Sequence, residues 1–455
     1  MGSASQDPFF GRATAEEAVR AMSEFGAERV HVGIFDAEAA FREKSVAAAK
    51  AEKMLRDGFG FSDVLYEWDI TEQTYSGGAF ADEPAEVDPA SGRVYPFAPK
   101  EAIFVADFTG AHAGFSPRRL AAAQIARAAA MGFGVLAGFE YEFFLFQETP
   151  QSLRDKGYRD LRSVAPGNRT YGLATLAVEN QFLSGLLETL AVAGIRCDCL
   201  HSELGPGCLE APLEAREGLR ACDDAAFFRI LTKTYAQTRE RMATFMAKWS
   251  NEWPGQSGHL HLSLFKLDGG EPVFAEGGGE GEPAPSMRWF IGGLLAALPE
   301  FLVMVTPTVN DYRRLVPGAW APTHASWGVE NRSCAVRAIP KPRHAARVEF
   351  RVPAADSNPY LALAACLGAG LTGLERRIEP PPPVVGDAYR QAVTDDLRFP
   401  RTLLEAAERF RASGAARESF GGEFVDWYSR TREWEDSAFR AHVGEWEVRR
   451  YFETV

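Results

Sequence analysis

The sequence predicts an α+β fold whose sheet is mostly antiparallel, and three observations lead there. Short apolar or alternating runs, among them RVHVGIFD, EAIFVADF, FGVLAGFEYEFFLF, GHLHLSLF and ARVEFRV, read as strands. Helical stretches separate them in an irregular order with no strict strand–helix–strand repeat, which disfavours a parallel sheet. Hydrophobic residues make up 46% of the 455 residues and charged residues 24%, enough to bury a substantial core. At roughly 150 residues per domain, a chain of this length has room for two domains.

The first unit spans residues 1–115. Residues 14–26 read as a helix capped by Thr14 with acids in its first turn, followed by the strand RVHVGIFD. A basic helix and a second strand, DVLYEWDI, come next. Thr74 to Pro99 is rich in Gly, Asp, Glu and Pro without periodicity and reads as a long functional or mobile loop before the strand EAIFVADF. Ser116-Pro117 opens a new helix with a Ser cap, Pro at its first position and Gly past its end, so the second unit is placed at 116–455. It holds the remaining strands, the helical stretch FLSGLLETLAVAG and a helical run from Asp223 to Lys248. Pro380 to Pro383 precede a charged helical C-terminal segment.

The net charge of −13 disfavours nucleic-acid or anionic-membrane partners, which need a basic face. No apolar run approaches the ~20 residues of a membrane span, and MGSASQDPFF lacks the features of a signal peptide. Six cysteines without a CxxC pair argue against a disulfide framework. These features together give a cytoplasmic protein acting on small molecules.

Glu140 and Glu142 lie two apart in a strand, so their carboxylates share a face. A lone pair of this kind is most often a solvated edge. Here apolar residues flank it on both faces, and buried carboxylates need a partner or a metal. Glu203 and Glu210 frame a Gly-Pro-Gly turn, His259 and His261 share one face of GHLHLSLF, and Arg347, Glu349 and Arg351 share one face of ARVEFRV. This oxygen-rich donor inventory suits Mg²⁺ or Mn²⁺ better than zinc. Arg313, Arg314, Arg332, Arg337 and Arg343 precede or border it, and guanidinium forks recognise carboxylates and phosphates. Hard metals beside arginines suit phosphoryl transfer, yet no phosphate-binding glycine loop is present.

With GxExExFxF, HxE followed by PG and a second Glu, GHxHxSLF, YxRLVPG, NRS, RVEFR and NPYLALAA in this order, the chain resembles the glutamine synthetases and their γ-glutamyl-amine ligase relatives over nearly its whole length. The resemblance implies a small β-grasp-like N-terminal domain, a large catalytic domain with a curved antiparallel sheet flanked by helices, and sites shared between subunits of a stacked ring assembly, a dodecamer of two hexameric rings. It implies Glu142, Glu203 and Glu210 as ligands of one metal, and Glu140, His259 and Glu349 as ligands of a second that bridges the phosphates of ATP. It further implies Arg314 and Arg351 on glutamate and its activated carboxyl, Arg332 and Arg337 on the phosphates, Arg347 beside the nucleotide, and His261 and Ser263 on its adenosine side. The implied reaction is ATP-dependent activation of the γ-carboxylate of glutamate as an acyl phosphate, then attack by an amine.

This chain departs from the family pattern at several positions. Trp320 stands where ammonia-using synthetases carry a catalytic Glu, which points to an alkyl or aryl amine; Glu330 acting for ammonia is the alternative. Asp69 is the one remnant of the family's ammonium patch. Cys208 and His344 replace family residues and receive no role, and the degraded motif around Tyr389 predicts no regulation. A metal-dependent amidohydrolase shares the His-x-His strand, but acid pairs precede it here and arginines follow. A non-catalytic relative would be expected to have lost metal ligands.

Overall fold

The computed structural model describes residues 7–75, 77–167, 169–278, 281–342 and 345–455. Near the N-terminus, Thr14 caps the helix Ala15–Phe25 through a capping box and Gly26 closes it in the left-handed region. A mixed sheet follows, built from β1 (Arg29–Phe35), β2 (Phe41–Ala47), β3 (Phe59–Ser62), β4 (Asp82–Val87), β5 (Arg93–Val94) and β6 (Glu101–Phe108). Its order is β2-β1-β6-β4-β3, with β5 on β6. The β1–β6 pair is parallel, and the helix Ala48–Asp57 packs across the sheet in a β-grasp-like arrangement.

Three sequence expectations fail in this region. DVLYEWDI is not a strand: β3 precedes it, and Asp63–Tyr66 is a 3-10 turn whose adjacent Leu65 and Tyr66 both enter the core, which strand alternation forbids. The basic stretch after β1 begins as the antiparallel edge strand β2 before turning helical. The presumed loop from Thr74 to Pro99 supplies β4 and β5, because Ala85 and Val87 alternate inward and pairing with β6 outweighs an acidic composition.

The second sheet comprises β7 (Phe133–Phe146), β8 (His201–Ser202), β9 (Cys208–Pro212), β10 (Arg216–Glu217), β11 (Met242–Thr244), β12 (Gly258–Lys266), β13 (Trp327–Val329), β14 (Val336–Ile339) and β15 (Arg347–Phe350). Its order is β13-β14-β15-β12-β7-β9-β8, with β10 and β11 also on β7. Every pairing but β13–β14 is antiparallel. The sheet curls, and helices flank it. The helical run expected to reach Lys248 ends at Thr238, because Met242–Thr244 pairs with the end of β7. Among the described residues one helical stretch, Pro285–Met304, is long and apolar enough by length and composition to cross a membrane, contrary to expectation, but 78% of its apolar window is buried. It packs against the helix Pro359–Arg376 so closely that a Cβ on Gly293 would lie 2.3 Å from the Ala369 carbonyl oxygen.

Buried charge ties the two sheets together. Arg118, on the helix Pro117–Ala130, reaches Asp223 at 2.9 Å, Asp107 at 3.0 Å and Asp88 at 2.6 Å. Asp223 also accepts the Tyr360 hydroxyl at 2.6 Å. The C-terminal helix Gly422–Ala441 returns to the first unit, where Trp427 donates to the Tyr66 carbonyl and stacks on Phe115, and Arg432 pairs with Glu38. Removing one partner of a buried pair strands the other charge. Asp223→Ala is therefore expected to cost about 3–5 kcal/mol, read as a lower urea midpoint. Tyr360→Phe, which removes one donor to the Asp223 carboxylate and strands no charge, should cost less, about 1.5–3 kcal/mol.

Candidate active site

Antiparallel register turns separate sequence motifs into rungs across one face of the second sheet, because directly opposed residues point the same way. His201 of β8 opposes Glu210 of β9, which opposes Glu142 of β7. Glu140 opposes His259 of β12. His261 opposes Glu349 of β15, which opposes Arg337 of β14. Residues from six strands thus share one surface.

Two clusters stand out on it. His259 Nδ1 lies 3.2 Å from Glu140 Oε1 and 3.5 Å from Glu349 Oε1, and candidate ligand atoms of these three residues lie within 4.8 Å of one another. His261 Nε2 approaches Glu140 Oε2 at 3.4 Å. The second cluster is His201, Glu203 and Glu210, again within 4.8 Å, with His201 Nε2 3.2 Å from Glu210 Oε1. Glu142 faces Glu210, while its Oε2 accepts the Ser257 amide at 2.7 Å. The turn that presents Glu203 and Glu210 needs its glycines: Gly205 and Gly207 have φ of 122° and 80°, and a Cβ on Gly205 would meet the Phe144 ring at 2.8 Å.

The electrostatics divide the face in two. Burial, and then the neighbouring Glu210, push Glu142 up to about 8. Burial raises Glu210 to about 7 against the opposing His201 bond. On the other half burial also pushes upward, but Arg351 and His259 hold Glu349 down at about 2. Bonds from His259 and His261 likewise overcome burial at Glu140 and keep it well below the usual range. Burial and the Arg351 charge depress His259, which favours the neutral ring. The buried Nε2 of His259 has no hydrogen-bond partner among the described residues, and that of His261 has only the 3.4 Å approach of Glu140 Oε2. Crowded carboxylates beside these imidazole nitrogens fit divalent cations held by oxygen with minor nitrogen.

The arginines occupy distinct places. Arg337 donates to Glu349 Oε2 and to Glu330 Oε2, each at 2.9 Å. Arg351 bonds Glu349 and the Arg332 carbonyl, and Arg347 Nε lies 3.2 Å from His261 Nδ1. The Arg332 side chain is exposed, and its charge acts on the Tyr171 hydroxyl together with Glu203 and Glu210. Ser263 is buried on the face of β12 that carries His259 and His261.

Three expected site residues sit elsewhere than on the open face. Arg314 has no exposed surface: its guanidinium braces the Val352 carbonyl and the Ser257 hydroxyl, each at 2.8 Å, and its charge acts on the buried Glu142. Asp69 is engaged within its own loop and by the C-terminal helix, accepting from Thr71, Gln73 and Trp434. Trp320 is 59% exposed on the loop after Arg314, at φ 58°. Cys208 is buried beside the acids with its thiol pushed up, chiefly by burial. Arg343 and His344 lie outside the described residues.

Sequence reading missed two residues. His201 opens the same HSELGPGCLE segment, and its place two residues before Glu203 was the available signal. Tyr171 packs its ring against His201 at 4.8 Å. It lies in a stretch without periodicity, and only the fold brings it here.

With this geometry in place, comparison with known proteins is specific. The family described as glutamine synthetase, catalytic domain, matches residues 114–451. Glutamate–isopropylamine ligase of a Pseudomonas species is 33% identical, covering 94% of this chain and 95% of its own length. γ-Glutamylethanolamide synthetase of Streptomyces coelicolor is 36% identical (90% and 84%), and type-1 glutamine synthetase 2 of Dictyostelium discoideum is 34% identical (92% and 82%). Among solved structures, a GmaS/ADP complex superposes with a TM-score of 0.84 at 28% identity, covering 96% of this chain and 99% of that one. The chain belongs to the glutamine synthetase family. Its enzyme class is accordingly that of the glutamate–amine ligases.

Protonated carboxylates must release their protons to accept a cation. Mg²⁺ or Mn²⁺ binding should therefore tighten as pH rises from about 6 to about 8 and release protons, seen by calorimetry in buffers of different ionisation enthalpy; an affinity flat across that range would refute the assignment. Glu210→Ala should weaken the binding of one ion by about tenfold or more while the thermal transition stays cooperative.

Proposed function

We propose that this protein is a cytoplasmic, ATP-dependent ligase that joins the γ-carboxylate of glutamate to an organic amine, alkyl or aryl, through a γ-glutamyl phosphate. The acid-and-imidazole face, with the unpartnered Nε2 of His259 among the described residues, carries the reading. Glu140, His259 and Glu349 would hold one Mg²⁺ or Mn²⁺ ion, and Glu142, Glu203 and Glu210, with His201 beside them, a second. Such ions neutralise charge on a transferring phosphoryl group and orient it.

The remaining roles follow from placement. Arg332 and Arg337 border the face where phosphates would lie, and Arg347, His261 and Ser263 continue it toward the adenosine. Arg351, held by Glu349, stands over the glutamate side, with Arg314 bracing the backbone behind it. In the first step a γ-carboxylate oxygen bonds to the γ-phosphorus and ADP departs. In the second the amine nitrogen bonds to the acyl carbon, loses a proton, and phosphate leaves with its electron pair. Splitting the condensation this way replaces one high barrier with two lower ones. The named relatives share most of this chain's length while their names differ in the amine, which is consistent with a common floor and a variable lip.

Trp320 supports an organic amine. Ammonium needs an anionic pocket with a base, whereas indole offers an apolar, cation-tolerant face. The alternative base, Glu330, is paired with Arg337 and lies 3.3 Å from Lys341; burial pushes it up, but Arg337 wins and holds it below its ordinary value. The reading with ammonia as nucleophile draws on the similarity to a glutamine synthetase.

The exposed apolar C-terminus, with Trp446, Phe452 and Val455, supports assembly into a homo-oligomer of stacked rings, and the neighbour's first unit, with the loop around Asp69, would complete each site. Light scattering of the active species should give a multiple of one chain's mass, and a fully active monomer would overturn this.

Two further outcomes are expected. ¹⁸O from the γ-carboxylate should appear in released phosphate; product formed without that transfer would exclude the acyl phosphate. The ratio of kcat/KM for the best organic amine to that for ammonia should exceed one, and fall by about tenfold or more in Trp320→Glu. A wild type that prefers ammonia across an amine panel would overturn the role of Trp320.

A further inference from the structure

Away from the acid-lined face lies a cavity of about 540 Å³, between the turn and loop Tyr312–Pro317 and the segment Val393–Arg401. None of the candidate metal ligands lines it. Its floor is apolar, from Tyr312, Leu315 and Phe399, and its rim carries Arg398, Arg401 and Arg409. The volume falls in the range of small-molecule sites, about 300–1,000 Å³.

Charge in this cavity is unbalanced. Its one carboxylate, Glu405, is already occupied by Arg409 at 2.7 Å and by the Arg401 amide at 2.8 Å. Arg398 pairs with Asp395, which does not line the cavity. The Arg401 guanidinium makes no hydrogen bond or ion pair with any described residue. His324 adds no further positive charge, since burial and then Arg398 favour its neutral ring. With Arg409 on Glu405 and Arg398 on the fully exposed Asp395, the Arg401 guanidinium leaves a local surplus of positive charge over an apolar floor, in a chain of net charge −13.

We propose that this cavity binds a small organic carboxylate with an apolar body, its anionic end on Arg401 and Arg398 and its body on Tyr312 and Phe399. The site also touches the loop that carries Trp320. Val316 and Pro317 on one side of that loop, and Thr323 and His324 on the other, form part of the cavity wall. His324 bridges to Arg398, the Ala325 amide donates to the Leu397 carbonyl at 2.8 Å, and the Tyr389 hydroxyl donates to the Ala321 carbonyl at 3.0 Å. An occupant wedged between these two segments would shift the position of Trp320 and thereby the apparent affinity for the amine. This second consequence rests on the function proposed above; binding itself does not.

Calorimetry with benzoate as probe, on the full assembled protein saturated with ADP and Mg²⁺, tests the site. Benzoate should bind, benzamide of the same shape without the charge should bind at least about tenfold more weakly, and Arg398→Gln/Arg401→Gln should weaken benzoate by a similar factor while leaving turnover without benzoate unchanged. Equal binding of benzoate and benzamide, undiminished binding in the double variant, or no benzoate binding up to about 10 mM would each overturn the proposal. In wild type but not in the double variant, benzoate should also change KM for the amine. Binding without that change would sink the coupling to Trp320 and leave the site standing, and binding in a protein that forms no γ-glutamyl amide would separate the site from the proposed reaction.

Discussion

The structure turns on one electrostatic constraint: carboxylates gathered on a single sheet face cannot all stay ionised without compensation. Glu140 and Glu142 are held there by β7, a strand of 14 residues long enough to pair with β9, β10, β11 and β12 at once. On the β15 side, Arg337, Arg351 and two imidazoles supply positive charge and donors, so Glu349 and Glu140 remain anionic. On the β8 side, burial and repulsion between the acids outweigh His201, the Ser257 amide and the charge of Arg314, and protons make up the difference at Glu142 and Glu210. The face is therefore prepared unevenly for cations, with one half already charged and the other needing to release protons before it can bind.

The rest of the fold keeps that face rigid. Arg314 is spent on backbone carbonyls and Ser257, locking the chain after β15 against the residue that also caps the Glu142 carboxylate. Arg118 and its aspartates fix the first sheet to the helices behind the second, in a setting where a lost partner would be costly. The C-terminal helix then reaches back to the first unit through Trp427, Arg432 and Trp434. Asp69 belongs to this bracing, and its local bonds and Trp434 overcome burial to keep it ionised.

Against this rigid floor, the loop carrying Trp320 is built differently. It is exposed, it takes a left-handed backbone at Trp320, and it is held at its flanks by the segment from Tyr389 to Arg398. Phosphoryl chemistry needs positions fixed within fractions of an ångström, whereas admission of different nucleophiles needs a surface that can change without disturbing them. Under the function proposed above, separating the two on different elements would let the lip vary while the carboxylate register stays intact.

The sequence by itself determined the strands that carry the candidate site, because period-two patterning places Glu140 with Glu142, His259 with His261 and Glu349 beside its arginines on common faces. It also fixed the capped helices at Ala15–Phe25 and Pro117–Ala130, whose signals are local. It misread the acidic stretch that holds β4 and β5, the turn at Asp63–Tyr66 and the end of the helix at Thr238, where pairing partners distant in sequence override composition. Only the tertiary structure brought His201 and Tyr171 to the acids, enclosed Arg314, and committed Asp69 and Glu330 to neighbours. Which strand opposes which, and how much water each charge keeps, depend on contacts between residues far apart along the chain, and no local pattern records them.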